Sequence, residues 1–143
     1  MIAILAALSF FFVAADGQFD VCRLDDEYKS VFEDFHRNAR RLTWRDGIDQ
    51  HAKEELLRPG SKTGEESPYI KVEGERHFAE DDQTPLTVKL SLALRKLIRG
   101  LARQIKKFSH GTEYGCNALL VDKSGESHKL KVLCLYRPPY SGN

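Results

Sequence analysis

The sequence lacks the short motifs that mark common hydrolases and metal enzymes. It has no Gly-x-Ser-x-Gly turn, no His-Glu-x-x-His helix and no Cys-x-x-Cys pair. An Asn-x-Ser/Thr acceptor is missing as well, so N-glycosylation is not expected. These absences favour a protein that binds a partner over one that catalyses a reaction.

Long apolar runs are also missing, except at the N-terminus. Residues 2–15 carry no charge, are too short to span a bilayer and are followed by small residues. This pattern predicts a signal peptide at residues 1–17 and a single domain at residues 18–143, with a buried N-terminal helix as the alternative. No later segment is apolar enough to span a membrane. We therefore expect an exported protein without a transmembrane segment.

Cysteine is scarce, since the chain has only three, which in an exported protein suggests one disulfide and one remaining thiol. Residues 114–121 and 128–136 are β-prone runs on either side of a polar turn, and they predict an antiparallel hairpin. Each run carries one cysteine, so we expect a structural disulfide between Cys116 and Cys134. Cys22 is left to join two chains in a dimer, to bond glutathione or to stay free.

The rest of the chain predicts helices and one short strand. Residues 24–57 show the spacing of two short helices, and we expect the second to begin with Thr43 as its cap. Residues 69–72 predict a strand, and residues 74–84 predict a polar loop. With a long helix at residues 86–108, this order predicts an α+β fold in which helices pack on an antiparallel sheet of about three strands.

The long helix at residues 86–108 carries the clearest charge signal. It contains no acidic residue, although the whole chain has a net charge of only +1. Apolar residues recur on one side at three- and four-residue steps, and the cations lie on the other side. The candidate binding residues on this basic stripe are Lys89, Lys96, Arg99, Arg103, Lys106 and Lys107.

Such a basic stripe suits a sulfated glycan, an anionic lipid head group or an acidic protein. The alternative is a solvated outer face of a helix that packs on the core. Nucleic acid is not expected as a partner, because no aromatic residues interleave with the cations.

Several local motifs follow the pattern of a known family. They are Phe108 followed at that family's spacing by Gly115-Cys116, then Cys134-Leu135-Tyr136-Arg137-Pro138, and upstream His36-Arg37-Asn38, Leu42-Thr43-Trp44 and Gly74-Glu75-Arg76. In these motifs the chain resembles the CAP superfamily, which includes cysteine-rich secretory proteins, insect venom antigen 5 and secreted venom-allergen-like proteins of parasitic nematodes. The resemblance implies a three-layer α/β/α sandwich with a small antiparallel sheet and a C-terminal disulfide-linked hairpin.

The departures from that family bear on function. CAP proteins share a cleft in which two His and two Glu can bind a divalent cation, and only Glu75 is a candidate match here. We therefore expect no metal site, no cofactor and no catalytic residue. The alternative is a metal-assisted hydrolase built on a remnant of that cleft, in which Glu75 and either His51 or His77 take part.

Taken with the signal peptide, the resemblance implies a secreted protein that acts by extracellular binding and has no enzymatic activity. The partners that it implies are an extracellular host or immune protein, a sterol or other lipid, or an anionic glycan. The source that it favours is a parasitic helminth, and the basic helix at residues 86–108 is the candidate binding face.

Overall fold

The computed structural model describes residues 20–21, 26–39, 41–60, 67–121 and 127–140, with only the backbone described at 20–21 and 98–100. The predicted signal peptide at residues 1–17 lies outside the described residues, and so does Cys22 with the predicted dimer contact. The tip of the predicted hairpin, residues 122–126, also lies outside them.

Three helices and five strands make up the described part of the chain. In chain order they are β1 (Asp20–Val21), α1 (Asp26–His36), β2 (Leu42–Trp44), α2 (Ile48–Leu57), β3 (Ile70–Phe78), α3 (Leu86–Ile105), β4 (Thr112–Val121) and β5 (His128–Arg137). This order of helices and strands is of the mixed α/β kind that the sequence predicts. Among the described residues, no helix is both long enough and apolar enough to pass through a bilayer.

The sheet is organised around the β4–β5 hairpin. Strand order is β1-β4-β5-β3 with antiparallel neighbours, and β2 pairs parallel with β4 beside β1. Within the hairpin Cys116 lies directly opposite Cys134, and the two form a disulfide with their Cα atoms 4.1 Å apart. The predicted hairpin and its disulfide are both confirmed. The predicted sheet of about three strands lacked the short strands β1 and β2.

Residue alternation divides the two faces of the sheet between the helices. Even-numbered residues of β4 and β5, from Tyr114 to Tyr136, belong to a core cluster with Phe32 of α1 and Leu94 of α3. The odd-numbered Leu133 and Leu135, with Ile48 and Ala52 of α2, form a second cluster. Helices α1 and α3 therefore cover one face and α2 covers the other.

Two glycines allow helices to approach strand backbones closely. A Cβ atom at Gly115 would lie 2.3 Å from the backbone nitrogen of Asp49, so the first turn of α2 rests directly on β4. On the other face, a Cβ at Gly74 would lie 2.5 Å from Cδ1 of Leu97 in α3. At Gly115 the contact is with backbone atoms, so α2 lies closer to the sheet than a larger residue would permit, whereas at Gly74 the contact is with a flexible side chain.

The prediction of a helix that begins at Thr43 is wrong. Leu42–Trp44 form β2, which runs parallel to β4, and the backbone N–H of Arg45 continues the pairing with a 2.9 Å hydrogen bond to the Tyr114 carbonyl. Helix α2 begins only after Gly47, whose φ of 100° is accessible mainly to glycine. Pairing with a strand distant in sequence has overridden the local capping signal.

Two predicted boundaries also shift. Strand β3 continues to Phe78, because all nine residues of the strand pair with β5. Residues 74–78, the first part of the predicted loop at 74–84, are therefore strand. Helix α3 ends at Ile105 and not at Phe108. Phe108 is buried after the helix end, where its ring stacks on Tyr136 at 4.8 Å between centroids.

We predict that Gly115→Ala lowers the free energy of unfolding by about 1–3 kcal/mol, because the added methyl group collides with backbone atoms of α2 that cannot rotate away. Gly74→Ala is the matched control, since its methyl group meets the far end of the flexible Leu97 side chain. Urea unfolding of both variants measures the difference. Equal or reversed losses would contradict the close approach of α2 to β4.

Candidate functional site

The exposed side of α3 carries most of the predicted basic stripe. Lys96, Arg103, Lys106 and Lys107 are exposed to solvent. The side chain of Arg99 lies outside the described residues. The stripe is therefore an exposed feature along the second half of the helix and the turn that follows it.

Lys89 departs from this pattern because it is only 6% exposed. Its Nζ donates a hydrogen bond of 2.7 Å to the Asp82 carbonyl oxygen and lies 5.2 Å from the centre of the Phe78 ring. The helical period puts Lys89 on the same side as Lys96, but the loop before α3 and the end of β3 cover the first turn. Lys89 thus joins that loop to the helix and is not part of the exposed stripe.

Two further cations, which the sequence analysis did not include among its candidate residues, lie beside the stripe. Arg76 of β3 and Arg95 of α3 line a groove of about 510 Å³ together with Leu92 and Lys96. The Arg76 guanidinium donates a 3.3 Å hydrogen bond to the Leu92 carbonyl and lies over the Phe78 ring. Period-two alternation along β3 would have placed Arg76 on the α3 side, had residues 74–78 been recognised as strand.

A second concave surface lies between the C-terminal ends of α1 and α3. This cleft has a volume of about 630 Å³ and is lined by Phe35, His36, Asn38, Ala39, Arg41, Ala102, Ile105, Lys106 and His110. Its walls combine apolar side chains with basic ones, and no acidic residue is among the described residues that line it. An apolar interior with cations at its rim suits an amphipathic anion.

His36 forms part of the cleft wall and reaches into the core. Its Nδ1 lies 2.7 Å from the Phe32 carbonyl oxygen, which can only accept, so Nδ1 carries the proton. Its Nε2 lies 2.7 Å from the Tyr136 hydroxyl and accepts a hydrogen bond from it. The ring also packs on Tyr114 at 4.2 Å between centroids. Burial lowers the pKa of His36 to about 4, so the ring is neutral at physiological pH.

The residues of the alternative hydrolase site lie on exposed parts of the structure. Glu75 Oε1 is 3.6 Å from His77 Nε2, and Glu75 Oε2 is 3.1 Å from the Lys129 ammonium. The hydrogen bond from Lys129 lowers the pKa of Glu75. His51 lies on α2, where its Nδ1 is 3.8 Å from Glu54 Oε2. The structure therefore brings Glu75 to His77 and gives His51 a different partner.

Comparison with known proteins finds a family for most of the chain. Residues 31–138 match the family model of a 15 kDa excretory/secretory protein. This description confirms the predicted secretion. No CAP family model matched the chain, so the CAP resemblance stays a hypothesis. No curated protein and no solved structure is significantly similar to the chain.

Because His36 is buried in its neutral form, we predict that acid destabilises the fold between pH 6.5 and pH 4. In that range the unfolded chain binds a proton that the folded chain does not, so stability rises with pH. The shift in the pKa of His36 corresponds to a loss of about 3 kcal/mol between pH 7.5 and pH 4.

Urea unfolding at both pH values measures this loss in the parent protein and in His36→Gln, which cannot take up the proton. We expect the pH dependence to be much weaker in His36→Gln and unchanged in the control His110→Gln, whose side chain is exposed. A His36→Gln protein with the full parental pH dependence would show that other groups cause the loss.

Proposed function

Since the chain belongs to the family of 15 kDa excretory/secretory proteins, we propose that it acts outside the cell by binding, without catalysis, and that a basic face on β3, α3 and the turn after α3 is the binding surface. The basic face consists of Arg76, Arg95, Lys96, Arg103 and Lys107. The observation that carries the proposal is the groove in which cations from two different elements converge.

The geometry of this groove suits a polyanion such as a sulfated glycan. Arg76 is half-buried and held by the Leu92 carbonyl, so its guanidinium is oriented before a ligand arrives. Guanidinium groups match the planar, bidentate geometry of oxyanions better than ammonium groups do. The exposed cations farther along α3 then extend the contact along a chain of repeating anions.

The charges on the basic face are not neutralised by the acidic side chains of the described residues. None of their carboxylates forms an ion pair with Lys96, Arg103 or Lys107. Asp82, an acidic residue close to the start of α3, interacts with Thr84 and Lys89. The positive potential of the face is thus available to an external ligand.

We predict that the double variant Lys96→Glu/Arg103→Glu binds heparin at least roughly tenfold more weakly at low salt, since each cation near an anionic surface contributes about 1 kcal/mol. The matched control is Lys53→Glu on α2 with Arg58→Glu directly after its end, which changes the net charge equally on the opposite face of the sheet. Heparin-column elution and calorimetry measure the affinities. If both double variants lose affinity equally, binding depends on net charge alone and the basic face is not the site.

The cleft between α1 and α3 supports a second candidate function, the carriage of a lipid with an anionic head group. Phe35, Ala39, Ala102 and Ile105 supply apolar contacts for an acyl chain, and Lys106 lies where a head group would reach the rim. A volume of about 630 Å³ is in the range of small-molecule pockets.

We predict that Ala102→Trp lowers the affinity for a fluorescent long-chain fatty acid by about tenfold or more, because the indole fills the cleft. Gln104→Trp is the control, since this residue is exposed on the same helix and lines a neighbouring groove. Fluorescence titration measures both affinities. Equal binding by the two variants and the parent would place the fatty acid elsewhere.

The finer architecture and the absence of catalysis are parts of the same proposal. Helices on both faces of the sheet support the three-layer α/β/α arrangement that the CAP resemblance implies. For the hydrolase alternative, Lys129 competes with a cation for the Glu75 carboxylate, which favours the non-enzymatic proposal. The alternative rests on the 3.6 Å separation of Glu75 and His77.

A further inference from the structure

The disulfide lies beside a histidine whose chemistry the binding proposals do not use. One ring nitrogen of His36 and the Sγ atoms of Cys116 and Cys134 all lie within 4.8 Å of one another, and all three residues are buried. In the oxidised protein the two sulfurs are bonded to each other, so neither is available as a thiolate ligand.

The hydrogen bonds of His36 fix its ring and tautomer in the way that is typical of histidines that bind metals. Histidines that bind metals typically donate their second ring N–H to a carboxylate or a backbone carbonyl, which fixes the ring and its tautomer. Here Nδ1 donates to the Phe32 carbonyl, and Nε2 keeps a lone pair that accepts the Tyr136 hydroxyl proton. A cation that takes this lone pair replaces one hydrogen bond.

We propose that, once the Cys116–Cys134 disulfide is reduced, the two thiolates and His36 Nε2 form a binding site for Zn²⁺. In the reduction, a dithiol gives two electrons and two protons to the two sulfurs and is itself oxidised to a disulfide. The Cys116–Cys134 bond breaks and leaves two thiols. Zn²⁺ then forms two Zn–S bonds and one Zn–N bond, and the two thiol protons leave to solvent. No electron moves in this second step.

The ligand set suits Zn²⁺, and one of the ligands borders open space. Two sulfurs and one imidazole nitrogen are ligands that tetrahedral zinc prefers, at roughly 2.3 Å for sulfur and 2.0–2.1 Å for nitrogen. His36 is also one of the residues that line the cleft between α1 and α3. The metal would join β4 to β5 across the same pair of residues as the disulfide does.

The experiment uses the mature chain with Cys22→Ser, so that the third cysteine cannot supply a thiolate. The protein is reduced with a dithiol, desalted under argon and titrated with Co²⁺, whose thiolate charge-transfer and visible bands report tetrahedral sulfur ligation. We expect saturation at one equivalent in the reduced protein and no bands in the oxidised protein. Absence of these bands from the reduced protein would overturn the proposal.

Two variants test the role of His36. His36→Gln should weaken Co²⁺ binding by more than the roughly 10- to 100-fold that loss of an outer-shell partner costs. The control His110→Gln removes an exposed histidine from the same cleft and should bind Co²⁺ as the parent does. Equal affinities of the two variants would mean that His36 is not a ligand.

A measurement on the unmutated histidine covers the case in which His36→Gln does not fold. Zn²⁺ added to the reduced protein should slow the alkylation of Cys116 and Cys134 at least tenfold. Mass spectrometry of the two peptides that contain these cysteines measures the alkylation rates. Equal alkylation rates with and without Zn²⁺ would contradict the proposed site.

Discussion

The register of the β4–β5 hairpin is the constraint on which the rest of the fold depends. Because Cys116 lies opposite Cys134, Tyr114 lies opposite Tyr136 and Gly115 lies opposite Leu135. The two tyrosines form the wall against which His36 packs, whereas Gly115 opens the other face to α2. A slip of one residue would turn each of these side chains to the wrong face. The disulfide is compatible only with the observed register.

Helix α3 connects this core to both candidate binding surfaces. Its buried side covers the sheet through residues such as Leu90 and Leu94, its last turns line the cleft, and its exposed side carries the cations. A ligand on the basic face and a ligand in the cleft would therefore contact the same helix. Lys106 lies at the cleft, next to Lys107 of the basic face.

The parts of the fold that sequence reasoning predicted are those with local causes. The hairpin and its disulfide follow from β-prone runs around a turn, and the start of α3 follows from Pro85 and the apolar period. Strand β2 was missed because its stability comes from pairing with β4, far along the chain.

The candidate site shows the same division between local and distant causes. The helical period correctly placed Lys96 and Arg103 on the exposed side, but it could not show that a preceding loop covers Lys89. The contribution of Arg76 depends on the pairing of β3 with β5, and the cleft depends on where α1 and α3 meet.

The disulfide has a further consequence for a secreted protein whose backbone is cut once by a protease. Any single backbone cut between Cys116 and Cys134 leaves two fragments that are still covalently joined. A cut between the end of β4 and the start of β5 interrupts none of the residue pairs that join β3 to β5 or β2 to β4, and it is distant in sequence from the contact of α2 with Gly115. A nicked chain can thus retain the parts of the sheet that hold both candidate surfaces in place.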